Sequence, residues 1–205
     1  MSTPIAGAVA MLARVASGPS VHMPPGGPCR DRCIFFANHS SHLDFVVLWS
    51  VLPAALRERT RPVAAREYWT ADAMRRFMAT RVFRAVLVDR QRPSLATLRA
   101  EMDHLVGTLD AGDSIIIFPE GTRGSGEKIS EFRGGLDYLA RQRPEIDLIP
   151  VHLHNLQRIM PKGEFLPVPQ LSSVTFGEPL PRIEGESKPA FLARARQAVV
   201  DLEPA

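Results

Sequence analysis

The chain has 205 residues and a mass of 22.6 kDa, with 45% hydrophobic and 23% charged residues. These values suit one globular domain with a packed core and exclude a disordered or collagen-like class. The formal charge is +3 and the mean hydropathy −0.05; the longest nearly uncharged apolar run, Phe45 to Leu56, is about half of the roughly 20 residues needed to cross a bilayer.

Residues 1–28 combine a short apolar segment, Ile5 to Val15, with a Gly/Pro/Ser tract from Gly18 to Pro28. With no basic residue ahead of it, the segment does not read as a signal peptide. It suits a short helix lying on the domain or on a membrane, and the tract reads as a loop or linker. Residues 29–205 form the main domain. Cys29 and Cys33 make a C-x-x-x-C pair without a second pair, so they read as small core residues rather than a zinc framework or a structural disulfide.

From Cys33 onward strand-like and helix-like pieces alternate. Cys33–Ala37 is a compact apolar strand, and Ser41–Leu56 is long enough for a buried helix. Pro62–Ala65 and Ala85–Val88 read as short buried strands around a polar helical stretch. Ser94–Asp110 reads as a helix with Leu95, Leu98, Met102, Leu105 and Leu109 along one face and Gly112 ending it. Ser114–Phe118 is apolar on both faces, as in an internal strand. Glu131–Arg143 follows as a helix with Phe132, Leu136, Leu139 and Ala140 inward. Asp147–Val151 and Ser173–Phe176 complete the strands, and Ser187 caps a last helix to Leu202. The alternation predicts an α/β fold of one domain, a mixed central sheet flanked by helices, with functional residues at the strand ends.

Charge is unevenly placed. Eleven arginines stand against four acidic residues between Arg57 and Arg99, an excess of seven in a chain whose total is +3. This points to an anionic partner such as a phosphorylated substrate, an acidic membrane surface or nucleic acid. Tyr68, Trp69, Met74, Phe77 and Met78 interleave with the arginines, so the stretch suits either an interfacial patch or a solvated helix with one buried face.

Three strands run into polar clusters: Asn38-His39-Ser40-Ser41-His42-Leu43-Asp44, Asp89-Arg90, and Pro119-Glu120-Gly121-Thr122-Arg123-Gly124. A histidine at a strand end with an aspartate five residues on can form a base and its orienter, or it can simply fill a helix start with the aspartate near the helix dipole. No G-x-S-x-G or suitably placed cysteine supplies a protein nucleophile, so a dyad here would act on a hydroxyl of the substrate. Ser40 and Ser41 read as caps of the following helix. Zinc would need His39, His42 and Asp44 plus a further ligand, for which His152 and His154 are candidates; the spacing matches no helical i, i+4 pair. Arg90, Thr122 and Arg123 can grip a phosphate, or mark ordinary turns with surface arginines.

Four motifs in order, Asn38-His39-x-x-x-x-Asp44, Val88-Asp89-Arg90, Phe118-Pro119-Glu120-Gly121-Thr122-Arg123 and Ile149-Pro150-Val151, make the chain resemble the glycerolipid acyltransferases of the lysophosphatidate acyltransferase type. The likeness covers roughly Cys33 to Pro179 and implies a glycerol-3-phosphate acyltransferase-like fold. It implies transfer of an acyl group from acyl-CoA or acyl carrier protein to a lyso-glycerolipid hydroxyl, most directly 1-acylglycerol 3-phosphate giving phosphatidate. His39 would be the general base and Asp44 its orienter; Asn38, Arg90, Glu120, Gly121, Thr122 and Arg123 would bind substrate, with the arginines on a phosphate. No metal or other cofactor is implied. The expected setting is the cytoplasmic face of an anionic membrane, met peripherally and without nucleic acid. Arg84 and Ala85 stand where the family often has a glycine, and Leu87 where it often has an aromatic residue, which bears on the acceptor. Glycerol 3-phosphate, a lysophospholipid or lyso-ornithine lipid are the alternative acceptors, and a non-catalytic anionic-lipid-binding domain or a metal-dependent hydrolase the alternative classes.

Overall fold

A computed structural model describes residues 4–29, 31–41, 43–89, 94–124, 128–156 and 172–204. The first helix, α1 (Pro4–Ser17), is followed by strand β1 (Ser20–His22) and strand β2 (Cys33–Ala37). Helices α2 (Asp44–Val51) and α3 (Ala54–Glu58) lead to β3 (Thr60–Ala65). Two short helices, α4 (Arg66–Trp69) and α5 (Ala73–Phe77), then run into a π-helical turn over Met78–Val82 and strand β4 (Val86–Val88). Helix α6 (Leu95–Asp110), β5 (Ser114–Ile117), α7 (Gly135–Gln142), β6 (Asp147–His154), β7 (Ser173–Phe176) and α8 (Lys188–Val200) complete the described elements.

The strands form one seven-stranded sheet in the order β1-β7-β6-β2-β5-β3-β4. Every pairing is parallel except β6 with β7, so the expected mixed sheet is present. Its central strands are buried on both faces, which is why β2 and β5 read as unbroken apolar runs. The two-residue period divides them between two cores. Phe35 and Ile116 face the layer of α1 and α2, with Phe45, Leu48, Trp49 and Phe83. Ile34, Phe36, Ile115 and Ile117 face the layer of α6, α7 and α8, with Leu109, Leu136 and Phe191.

Several elements depart from expectation. The helix expected over Ser41–Leu56 breaks after Val51: Leu52 turns extended and Pro53 starts α3, because proline has no N–H and disfavours a helical residue before it. In α6 only Leu105, Val106 and Leu109 are buried; Leu95 is 87% exposed and Leu98 43%. The face predicted from periodicity therefore meets the core only from Met102 onward. The helix expected from Glu131 begins at Gly135, although Phe132 is buried as expected. The tract read as a loop from Gly18 to Pro28 contains β1, an exposed strand that pairs with β7. Ser187 caps α8 through the Ala190 N–H, as expected.

The arginine-rich stretch has more internal uses than the sequence suggests. Arg61 is buried and makes two 2.8 Å bonds to Asp113. Arg57 lies over the Trp49 ring, and Arg66 donates to the Leu87 carbonyl. Trp69 and Met78 pack against the first core, whereas Met74 and Phe77 are exposed. Among the described residues no helix is long and apolar enough to cross a membrane.

Candidate active site

The parallel strands β2 and β5, with β6 beside β2, deliver their carboxyl ends to one edge of the sheet, where α/β folds gather their chemistry. The polar clusters after β2 and β5 meet there. Asn38 extends β2 by its side chain: Nδ2 donates to the Leu153 carbonyl at 2.9 Å, and Oδ1 accepts the Leu153 N–H at 2.8 Å. Glu120, buried after β5, accepts the His39 N–H at 2.7 Å on one oxygen and the Ser130 N–H at 2.8 Å on the other. The Gly124 N–H returns a 2.8 Å bond to the His39 carbonyl. His39 is thus fixed by its backbone before its ring is considered.

The ring is fixed as firmly. His39 Nδ1 lies 2.8 Å from Oδ2 of Asp44, a residue with no solvent exposure at the start of α2. The same oxygen accepts the backbone N–H groups of Ser40 at 2.6 Å and Ser41 at 2.8 Å. The imidazole stacks on Phe118 with centroids 4.3 Å apart and planes 18° apart. Donation of Nδ1–H to the carboxylate leaves Nε2 with its lone pair, the arrangement of an oriented general base. Ser40 and Ser41 do not cap α2 with their hydroxyls: the N-cap is Leu43, without a side-chain cap bond, and Ser41 Oγ accepts the Leu43 N–H one residue too early.

His39 borders two cavities. The smaller, about 170 Å³, is walled by Phe45, Ala64, Tyr68, Trp69 and Phe118 and includes Arg123. The larger, about 450 Å³, lies towards β6 and α8. Gly121 has φ +76°, in the left-handed region that favours glycine, and a Cβ there would displace the Arg133 side chain, whose Nε stands 2.6 Å from that position. Thr122 is exposed. Asn38 and Glu120, expected on substrate, direct both of their polar side-chain atoms to the backbone. Arg90 and His42 lie outside the described residues. The sequence reading missed Arg133, packed over Gly121, and Lys128 and Arg196 in the larger cavity. An arginine on an amphipathic helix such as α8 carries no signal of its own.

His152 also lines the larger cavity; burial pulls its pKa below the ordinary histidine value, with nearby His154 adding to the effect and Glu203 opposing it. Among the described residues no cluster of three or more His, Cys, Asp or Glu side chains could hold a metal ion.

The chain is similar to several known proteins. The family model described as Acyltransferase matches residues 19–154. The chain is 30% identical over 145 residues to 1-acyl-sn-glycerol-3-phosphate acyltransferase alpha of Mus musculus, covering 70% of this chain and 46% of that protein. The Bos taurus protein of the same name is 27% identical over 183 residues, 87% of this chain and 59% of that one. The chain thus spans about half the length of the curated relatives it matches. The crystal structure of the 1-acyl-sn-glycerophosphate (LPA) acyltransferase PlsC from Thermotoga maritima superposes with a TM-score of 0.71 at 19% identity, covering 96% of this chain and 78% of that one. That likeness supports the fold.

Proposed function

The chain belongs to the acyltransferase family, and from that premise we propose that it moves a fatty acyl group from a thioester, acyl-CoA or acyl carrier protein, to the free hydroxyl of 1-acylglycerol 3-phosphate, giving phosphatidate. The observation that carries this reading is the 2.8 Å contact of His39 Nδ1 with buried Asp44, which leaves Nε2 as the basic nitrogen of a residue that lines two cavities.

Nε2 takes the proton of the acceptor hydroxyl as its oxygen attacks the thioester carbonyl carbon. Asp44 holds Nδ1–H and stabilises the imidazolium that forms. The tetrahedral intermediate collapses with cleavage of the C–S bond, and the imidazolium returns the proton to the departing thiolate. No acyl-enzyme is required, in keeping with a site whose reacting hydroxyl comes from the substrate. The proposal assigns the acceptor phosphate to Arg123, which lines the smaller cavity beside its aromatic wall, with Arg90 as its expected companion.

Lipid substrates require contact with a bilayer, and the proposal includes peripheral binding at the cytoplasmic face. Helix α1 exposes Met11, Leu12 and Val15, and α5 exposes Met74 and Phe77 beside Arg75 and Arg76, pairing apolar anchors with cations. Flotation with anionic vesicles should exceed flotation with neutral ones; equal flotation removes the electrostatic part.

The reaction is tested with one acyl-CoA and a panel of lyso-acceptors, reading thiol release and product mass. Product from 1-acylglycerol 3-phosphate, lost in His39→Ala, is the expected result. Product only from glycerol 3-phosphate, a lysophospholipid or lyso-ornithine lipid moves the acceptor, and full activity in His39→Ala sinks the mechanism.

A further inference from the structure

Cys29 and Cys33 read from the sequence as two small core residues, and neither has a part in the transfer proposed above. The structure brings their sulfurs to 2.7 Å, with the Cys33 thiol donating to Cys29. The Cys29 thiol in turn donates to the Asp31 carbonyl at 3.1 Å. The two partners are held unequally. Cys33 opens β2 and is fully buried; it pairs with Asp147 of β6, and its N–H donates to Ser114 Oγ at 3.0 Å. Cys29 lies half-buried in the loop before the strand. A bond between sulfurs is about 2.05 Å long, so bonding needs an approach of about 0.65 Å, which the loop can supply while β2 stays in place.

Reactivity divides in the same way. The thiolate is the form that attacks an oxidant, and access decides whether the oxidant arrives. Cys29 has both: the hydrogen bond from Cys33 and nearby Arg59 favour its thiolate, against burial, Asp147 and Asp31. Cys33 has neither, since burial covers its sulfur and raises its pKa strongly. It stands instead within reach of whatever forms on the Cys29 sulfur. An accessible thiol of lowered pKa with a second thiol beside it is the arrangement of an oxidisable pair. Among the described residues no third His, Cys, Asp or Glu side chain joins them to hold a metal ion.

We propose that Cys29 and Cys33 form a reversible two-electron redox site that reacts with hydrogen peroxide. The Cys29 thiolate attacks one peroxide oxygen and the O–O bond breaks; with one proton taken up, the products are the Cys29 sulfenic acid and water. The Cys33 sulfur then attacks the sulfenic sulfur, the S–O bond breaks, and the Cys33 proton leaves with the hydroxide as a second water. The two thiols lose two electrons and the peroxide gains them. A dithiol reductant reverses the bond by exchange. Cys33 opens β2 and His39 follows its other end, so the site is separate from the His39 cluster.

The test uses the intact chain, reduced and desalted, with hydrogen peroxide as probe, and no arm of it needs transfer activity. Peptide mass spectrometry without reduction should find Cys29 joined to Cys33 within one chain, at a mass lower by two hydrogens. Iodoacetamide labelling in urea, where both thiols are accessible, should fall at least about tenfold after peroxide and return with dithiothreitol. In Cys29→Ser the oxidation of Cys33 should slow by at least about tenfold. Cys33→Ser keeps a hydroxyl donor beside Cys29 but removes the second sulfur, so Cys29 should stop at a sulfenic acid that dimedone traps. If that variant fails to fold by circular dichroism, the parent and Cys29→Ser, changed at a half-buried loop position, still decide. Two free thiols after peroxide, Cys29 bridged to a second copy of the chain, or a Cys29 sulfinic acid beside a free Cys33 overturns the proposal. Oxidation of Cys33 at the parent rate in Cys29→Ser overturns it as well.

Discussion

The side chain of Asn38 does the work of a strand residue for Leu153. Parallel pairing of β2 with β6 ends at Ala37 and Val151, and the Asn38 amide then meets both the N–H and the carbonyl of Leu153, at 2.8 and 2.9 Å. The bracket fixes the step from strand to base. Asn38→Ala leaves this buried backbone pair unsatisfied and should cost about 2–6 kcal/mol of stability, at about 1–3 kcal/mol for each orphaned group. Urea unfolding checks this; a loss below about 0.5 kcal/mol would mean that water replaces the amide.

Asp44 acts through His39 rather than on substrate. In Asp44→Asn the amide oxygen can take the place of Oδ2, but it carries no charge to stabilise the imidazolium, and the NH2 group falls at the buried Oδ1 position, which has no hydrogen-bond partner among the described residues. By analogy with the loss of the aspartate from a Ser-His-Asp triad, kcat should fall on the order of 10³–10⁴-fold, with KM changed little. A fall in kcat of less than about tenfold would show that the carboxylate serves the turn and not the ring.

The sequence made some of this legible and hid the rest for physical reasons. Strands Cys33–Ala37 and Ser173–Phe176 are bounded to the residue, the first as a compact apolar run buried throughout and the second as an alternation that buries Val174 and Phe176. The Asn38–Asp44 spacing displayed the His39–Asp44 contact because both partners lie within one turn. Asn38 and Glu120 were harder to read, since the same side chains suit a substrate or a backbone. What decides is Leu153, 115 residues from Asn38, and the His39 N–H, 81 residues from Glu120. Strand β1 has three exposed residues and no pattern of its own; only its partner β7 makes it a strand. The exposed Leu95 and Leu98 show the limit of periodicity, which marks a helical face but not how far the core extends beneath it.

The Arg84 backbone lies at φ +50°, in the left-handed region that favours glycine, just after the π-helical turn. A non-glycine residue held there costs roughly 1–2 kcal/mol, and the greater freedom of glycine in the unfolded chain returns about 0.5–1 kcal/mol of that. Arg84→Gly should therefore stabilise the protein by up to about 1 kcal/mol, read as a raised urea midpoint with an unchanged slope. A lowered midpoint would show that the Arg84 side chain contributes more than its backbone costs.

The two thiols should differ sharply in reactivity. Cys29 is half-buried, and the Cys33 thiol 2.7 Å away donates to its sulfur and lowers its pKa, with Arg59 adding to the effect; Cys33 is buried, which raises its own strongly. Thiolate fraction and access then favour Cys29 together. Under native conditions iodoacetamide should label Cys29 at least about tenfold faster, read by peptide mass spectrometry. Equal rates would mean that the start of β2 opens as readily as the loop before it.

His152 gives the fold a sensitivity to acid. Burial holds its pKa below that of the unfolded chain, about 6.5, so the folded state favours neutral imidazole. Such a group contributes stability that is complete above the unfolded pKa and is lost as pH falls from there through the folded pKa. Over that window one proton costs at most about 1.4 kcal/mol per pH unit. The groups facing it work in opposite senses: Glu203 favours the charged form, and a protonated His154, with its ring centroid 6.2 Å away, opposes it. His152→Gln has no proton to gain, so its unfolding free energy should fall less than that of the parent between pH 7 and 5, whatever its absolute value. His154→Gln removes the one charged neighbour that helps burial hold the pKa down, so it should raise the folded pKa and lessen the acid loss, whereas Glu203→Gln should lower the folded pKa and extend the loss to lower pH. Chemical denaturation at closely spaced pH values measures both slopes. Parallel curves for the parent and His152→Gln would show that this imidazole titrates alike in the folded and unfolded chains.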